Sequence, residues 1–401
     1  MTALDSTDLP VTSRSAAFAW AAFLGTSWTW CIGMFLPVLL VRDSGPWAWV
    51  VFAIPNVVGA AAMGWTLKSP EQSRRMVESH LVACRAFSVI TIAFHVFFVL
   101  WLVPRLIGLP GAAIVFPVAA IYLIFTVSRG RWDLPVGIVA WLISLTLMAA
   151  FVLRGPAVRP DFAVPPSANA IYLIPVCLFG FALSPYLDLT FHRARQALQT
   201  GTDSRIGFGI GFGICFFSMI IFSLFYSHAL APLVGDNWRE HVRPVWGWMI
   251  ATHMIVQAAY TLSVHARSFI ETKPKPAGIL TLLIVCQLAL LAAFAAAGMP
   301  RILNLDFGEV CYRFFMAFYG LVFPAYVWIF MMPGRQFTQS AVRAFTLAIL
   351  VAMPMYYCGF ILNRMVWLVP GMVCALVGGA LLRRQRLASF PERLADSSPD
   401  A

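Results

Sequence analysis

Long apolar runs decide first what this chain can become. Stretches of about 20 mostly apolar residues recur from one end to the other, each long enough to cross a ~30 Å hydrocarbon layer as a helix. In hydrocarbon every backbone N–H and C=O must be satisfied within the chain, so such runs fold as helices rather than as open strands. Twelve of them stand out, at approximately 16–41, 46–67, 82–104, 110–127, 134–153, 169–190, 206–230, 245–266, 277–298, 309–332, 342–362 and 365–382. Composition agrees. Hydrophobic residues make up 60% of the 401 and charged residues 11%, with a mean hydropathy of +0.81. A soluble domain carries about 25% charged residues. The expected fold class is an all-α polytopic membrane protein.

The net charge of +11 would suit a nucleic-acid partner, but the charges fall in short loops between apolar spans. The expected partners are the lipid bilayer and a small-molecule solute, with no nucleic acid. Lys68, Lys273, Lys275 and most of the arginines lie in segments that share a side with the N-terminus. By the positive-inside rule this predicts both termini in the cytoplasm, in an inner membrane. Met1–Ser15 is polar and has no basic n-region, so the first apolar run reads as a retained span and not a signal peptide. Arg154–Ala168 is a Pro-rich external connector, and Asp236–Pro244 a solvated loop of mixed charge. The tail Arg383–Ala401 is basic and then polar, suited to resting its arginines on anionic headgroups. The eight cysteines form no CxxC pair. Scattered in this way they read as small buried hydrophobes, and neither a zinc site nor a disulfide framework is expected.

One stretch departs from plain apolar helix. Gly25–Val41 (GTSWTWCIGMFLPVLLV) carries Thr26, Ser27 and Thr29, then Gly33 and Pro37. Glycine loosens a helix, and proline removes a donor and clashes with the preceding turn. A kink is the ordinary reading. A discontinuous helix, with carbonyls and amides freed between Thr26 and Gly33, is the functional one. A second such stretch follows five spans later. Cys177, Gly180 and Pro185 in span six repeat the order Cys31, Gly33, Pro37 of span one, one residue looser at each step. An odd offset of five spans inverts the second copy. Small-residue helices follow each: Gly59, Ala60 and Gly64 in span two, and Gly207 to Gly213 in span seven, which read as packing surfaces.

Two interrupted helices at positions one and six, twelve spans and cytoplasmic termini resemble the LeuT-type fold of sodium/solute symporters and of the amino acid–polyamine–organocation superfamily. The text FAIPNVVGAAAMGW (Phe52–Trp65) is similar to the second span of sodium/solute symporters. The resemblance implies a first five-helix repeat over 16–153, the connector 154–168, an inverted repeat over 169–332, two added helices over 333–382, and cytoplasmic tails 1–15 and 383–401. It implies secondary active transport by alternating access, a sodium- or proton-coupled symport of an amino acid-like or carboxylate-bearing solute, with no catalysis, sodium as a possible coupling ion and no other metal or cofactor. It also implies a sodium ion between carbonyls of the Thr26–Gly33 stretch and hydroxyls of span eight. Thr26, Thr29, Thr261 and Ser263 are the positions concerned, with Thr252 a competitor. Substrate contacts would come from Trp28, Trp30 and Gly33 in span one, His95 in span three, Gly180 and Ser184 in span six, and His253 and Gln257 in span eight.

Asp188 stands out without any resemblance, because intramembrane ionisable groups are expensive. It could hold a cation, take a proton, or pair with His192 or Arg195; the plain alternative is a surface pair at the cytoplasmic end. Glu309 and Arg313, one turn apart, are expected to pair near the outer surface. Against transport stands a membrane enzyme or haem protein using His95, His228 and His253. No CxxCH or HExxH motif supports it. A signalling module is the third class, disfavoured by the short loops.

Overall fold

A computed structural model of the chain describes residues 13–107, 112–127, 132–234, 245–296 and 298–388. Apart from a single bridge between Ile302 and Leu305, these residues hold helices and their connections. In chain order they are α1 (Ser13–Trp28), α2 (Cys31–Ser44), α3 (Pro46–Thr66), the short α4 (Pro70–Ser79), α5 (Leu81–Ile107), α6 (Ala112–Val127) and α7 (Asp133–Arg154). Then come α8 (Ala168–Leu183), a 3-10 turn (Ser184–Leu187) and α9 (Leu189–Ala197). A further run joins α10 (Gly201–Ile210), a π-helical segment (Gly211–Phe216) and α11 (Phe217–Leu230). After α12 (Val245–Glu271) and α13 (Pro276–Ala295), α14 (Phe307–Ala317) and α15 (Phe323–Tyr326) are separated and followed by π-helical segments. α16 (Gln339–Tyr356) and α17 (Leu368–Ala388) end the fold. The expected loop Asp236–Pro244 and the tail beyond residue 388 lie outside the described residues, as do residues 1–12.

Among the described residues eight helices are long and apolar enough to cross a membrane, and nine when the bent pair α1–α2 counts as one span. Helices of this kind are those of a multi-pass membrane protein. Three of the twelve expected spans fall short. The described part of α6 is 16 residues long, and the apolar part of α17, Met365–Leu381, is a shorter helix. α12 has the length, with 27 residues, but carries His253, Gln257, Thr261 and His265 along it and is more polar.

Local chemistry sets many boundaries. Pro46, Pro70 and Pro276 open α3, α4 and α13, where a missing N–H costs nothing. Ser69, Ser167, Thr200 and Thr338 cap the helices that follow them. Asn363 takes a left-handed φ of 54°, closing the tight turn expected between spans eleven and twelve.

Packing is dominated by a few helix pairs. α1 lies along α10 and the π-helical segment after it, and α3 lies along α8. α5 packs on α12 and α13, α6 on α12, α1 on α7, and α8 on α15 and the segment before it. Of the glycines expected at packing surfaces, Gly59, Gly64, Gly207 and Gly211 are closely packed, whereas Gly213 is exposed and touches no neighbouring element. A Cβ on Gly25 would meet Cys215 Cβ at 2.6 Å and Gly211 O at 2.7 Å, and Ser204 Oγ donates to Gly64 O at 3.1 Å.

Ion pairs close both ends of the span formed by α1 and α2. At the α2 end, Arg42 makes a two-pronged bond to Glu309 (2.5 and 3.0 Å), Glu309 also receives Arg313 Nε at 2.7 Å, and Arg313 pairs with Asp43. The expected Glu309–Arg313 pair is thus half of a four-residue ring. At the α1 end, Asp133 receives Arg193 at 2.5 Å and Arg267 at 2.9 Å, and Arg193 stacks over Trp20 and Phe23.

Candidate functional site

The chain between α1 and α2 bends by 54°. A continuous helix would bond the Cys31 N–H to the Ser27 carbonyl, four residues back. Here the two halves of that bond part. The Cys31 N–H goes to His95 Nε2 at 3.3 Å, and Ser27 O accepts the Trp30 indole N–H at 2.5 Å and, more weakly, the Thr261 hydroxyl at 3.5 Å. Thr29 Oγ1 donates to Gly25 O at 2.8 Å. His95 gives its Nδ1–H to Thr91 O at 2.7 Å, which leaves Nε2 as the acceptor that Cys31 needs. The break is therefore held by the Trp30 indole and by side chains on α5 and α12, which satisfy both halves of the opened bond.

The break falls at Thr29–Trp30, inside the stretch Thr26–Gly33, but Gly33 and Pro37 do not make it. Both sit inside α2; Gly33 packs against Phe216 and Ile220.

Span six breaks in the same manner. After Pro185 the chain turns, and Asp188 takes an extended ψ of 111° as the N-cap of α9. The Thr190 N–H goes to Asp188 Oδ1 at 2.7 Å instead of to Tyr186 O. Tyr186 O accepts His192 Nε2–H at 2.9 Å, while Ser73 Oγ bonds His192 Nδ1 at 2.8 Å. Gly180 again lies short of the break, within α8, its Cα face against Tyr319 O.

These two breaks share one buried centre. The Trp30 ring lies 5.5 Å from His265, 6.2 Å from His95, 5.0 Å from Tyr319 and 4.2 Å from Trp28. The Trp28 ring is 4.8 Å from Phe191 of α9, and its N–H donates to Asn56 Oδ1 of α3 at 2.7 Å. Tyr319 exchanges a hydrogen bond with Thr91 at 2.8 Å, and Ser184 Oγ donates to Tyr319 O at 3.3 Å. Asp188 is fully buried, which removes the surface-pair reading. Neither His192 nor Arg195 is its partner: Arg195 donates to Leu67 O and Leu198 O. The nearest base is His265 of α12, with Nε2 3.8 Å from Asp188 Oδ2.

Not all the expected residues meet here. Thr26 donates to Gly137 O of α7, away from the break, and Ser263 is buried elsewhere on α12. His253 and Gln257 form a second polar cluster on Ser144 of α7, at 2.9 and 2.8 Å. Twelve residues separate His253 from His265, about 18 Å along a helix. A cavity of about 370 Å³ lies elsewhere, among Phe314, Leu350, Met353 and Tyr357, and is apolar.

His265, Asn56 and Tyr319 are the site residues that sequence reasoning missed. The signal for His265 was present. His253, Gln257, Thr261 and His265 recur every four residues, which places a polar stripe on one helix face. No group of three His, Cys, Asp or Glu side chains that could hold a metal ion occurs among the described residues. In comparison with known proteins, no protein-family model matches the chain and no curated protein matches it.

Proposed function

We propose that the chain is a secondary active transporter, an ion-coupled symporter of a small organic solute. It would span the cytoplasmic membrane twelve times, with a five-plus-five inverted repeat and both termini inside. One observation carries the reading: two helices break next to each other at a buried polar centre, and side chains from other helices hold the broken backbone bonds. Such breaks near the midplane of a repeat interface are where transporters bind solute and ion.

The packing supports the repeat. Under the rule that span n corresponds to span n + 5, helix contacts exchange in pairs. Span one on seven becomes six on two; three on nine becomes eight on four; one on five becomes six on ten. Each member of each pair is present. The α2 N-terminus at Cys31 favours a carboxylate on the solute, because the positive end of the helix dipole attracts anions. The haem alternative loses support at His95, whose two ring nitrogens are already bonded.

Alternating access makes a testable demand: the Thr29 position must be reachable from each side in turn. The test places a lone cysteine at Thr29 in a chain whose eight native cysteines are replaced, and applies a membrane-impermeant maleimide to either face of proteoliposomes. Glu309→Gln weakens the ring at the α2 end and is expected to raise labelling from that side. Asp133→Asn weakens the cluster at the α1 end and is expected to raise labelling from the other. A Thr29 cysteine unreachable from both faces in all three backgrounds would refute transport by this route.

A further inference from the structure

Asp188 caps α9 with Oδ1 alone. Thr190 fills that oxygen from both its N–H and its hydroxyl, each at 2.7 Å. Oδ2 has no hydrogen-bond partner, and neither ring nitrogen of His265 has one. Both side chains are 0% exposed. An Oδ2···Nε2 separation of 3.8 Å is too long for a hydrogen bond. Two unfilled, fully buried polar groups thus face each other across the joint between α9 and α12.

The surroundings offer no counter-charge. Among the described residues Asp188 is in ion-pair range of no Lys or Arg. Arg193 and Arg267 pair with Asp133, and Arg195 donates to the Leu67 and Leu198 carbonyls with its Nη2 unbonded and out of ion-pair range of Asp188. On α5, His95 has both nitrogens bonded, and Cys84 is a buried free thiol. On α9 itself, His192 has both nitrogens bonded. From the α14–α15 span, Tyr319 engages Thr91, and Cys31 on α2 is buried nearby. A lone carboxylate at 0% exposure in a membrane protein is costly unless it is neutralised. Two rings stand beside the pair, Trp30 at 5.5 Å and Phe87 at 6.4 Å from the His265 ring. A solute or a hydrated ion needs room there; a proton needs none.

We propose that Asp188 and His265 bind one proton between Oδ2 and Nε2, and that this proton is the coupling ion. The proposal rests on the transporter reading for its role, though not for the binding itself. Binding takes up one proton and changes the charge of the pair from −1 to 0. The new Oδ2–H···Nε2 bond draws α9, the second half of broken span six, toward α12. Loss of the proton releases it. Proton binding is thereby tied to the position of an interrupted helix.

An infrared difference titration of the purified full chain, in water and in deuterium oxide, tests this without any solute. The expected result is the carbonyl stretch of a protonated buried carboxylic acid, isotope-sensitive, that disappears as pH rises. Asp188→Asn, which keeps the capping oxygen, is expected to lose that band. His265→Gln is expected to move its midpoint at least tenfold in proton concentration. Exchange of sodium for choline is expected to leave it unchanged. The proposal is overturned if the wild type shows no pH-dependent band, if the band survives in Asp188→Asn, or if His265→Gln leaves the midpoint in place. A band removed by sodium but not by choline overturns it in favour of a sodium site. Should Asp188→Asn fail to fold, the wild type and His265→Gln decide the matter. A titrating carboxyl together with an unreachable Thr29 cysteine would keep the proton site and remove the transporter reading.

Discussion

Gly25→Ala tests the packing that positions the broken helix. A Cβ at Gly25 would lie 2.6 Å from Cys215 Cβ, 2.7 Å from Gly211 O and 2.9 Å from Phe216 N. Ordinary contact begins at 3.4 Å, so α1 and the π-helical segment must separate by about 0.8 Å. Two of the three obstructing atoms are backbone, and a rotamer change cannot relieve them. Overpacking of this kind costs about 1–3 kcal/mol. Against it stands the gain of about 1 kcal/mol from replacing a helical glycine by alanine. Gly213, in the same π-helical segment, supplies the control, because a Cβ there meets nothing within 4 Å. The propensity gain is common to both variants and cancels between them. Gly25→Ala should therefore be less stable than Gly213→Ala by about 1–3 kcal/mol. Extending the size scaling of thermal midpoints to 401 residues gives roughly 1–2 °C per kcal/mol. Thermal scans of purified protein should place the two variants about 1–6 °C apart, with Gly25→Ala the lower. Equal midpoints, or Gly25→Ala above the control, would refute close backbone approach between spans one and seven.

Two further outcomes are expected. Asn56→Ala strands the buried Trp28 N–H, at a cost of about 1–3 kcal/mol; in a double-mutant cycle with Trp28→Phe the two changes should couple by about 1 kcal/mol, and strict additivity would show that the bond contributes nothing. His80, at the corner between α4 and α5 and outside the spans, bonds Tyr326 OH at 3.2 Å, and burial pushes its pKa down. Its neutral form is favoured in the fold, so its contribution is present above the unfolded value of about 6.5 and is lost as pH falls through the folded value. The thermal midpoint of the wild type should thus fall more steeply with acid than that of His80→Gln, and parallel curves would count against a desolvated His80.

Asp188 shows what a sequence can and cannot say about a site. An aspartate two residues from the end of an apolar run, after Ser-Pro, is visible as an anomaly by cost alone. Its partner was not. His192 and Arg195 share its helix and looked closest, yet both are held by Ser73 and by backbone carbonyls, and the residue that faces Asp188 comes from 77 positions further along the chain. The ring at the α2 end repeats the lesson. Glu309 and Arg313 are readable as neighbours one helical turn apart, whereas Arg42 and Asp43 reach them only across the tertiary fold.

Hydropathy alone determined that this chain is built of helices long and apolar enough to cross a membrane, because continuous runs of about 20 apolar residues satisfy their peptide groups in hydrocarbon as helices and not as open strands. It also located the two stretches where a helix gives way. Tertiary structure decided where within them the break falls and what holds it. Gly33 and Gly180, the residues whose flexibility loosens those stretches, lie inside helices and serve close packing. The breaks come at Trp30 and Asp188, where His95, Thr261, the Trp30 indole and His192 take over the bonds that the backbone gives up. A local sequence sets how easily a helix can open. Whether it stays open depends on the hydrogen-bonding groups that distant helices bring to it.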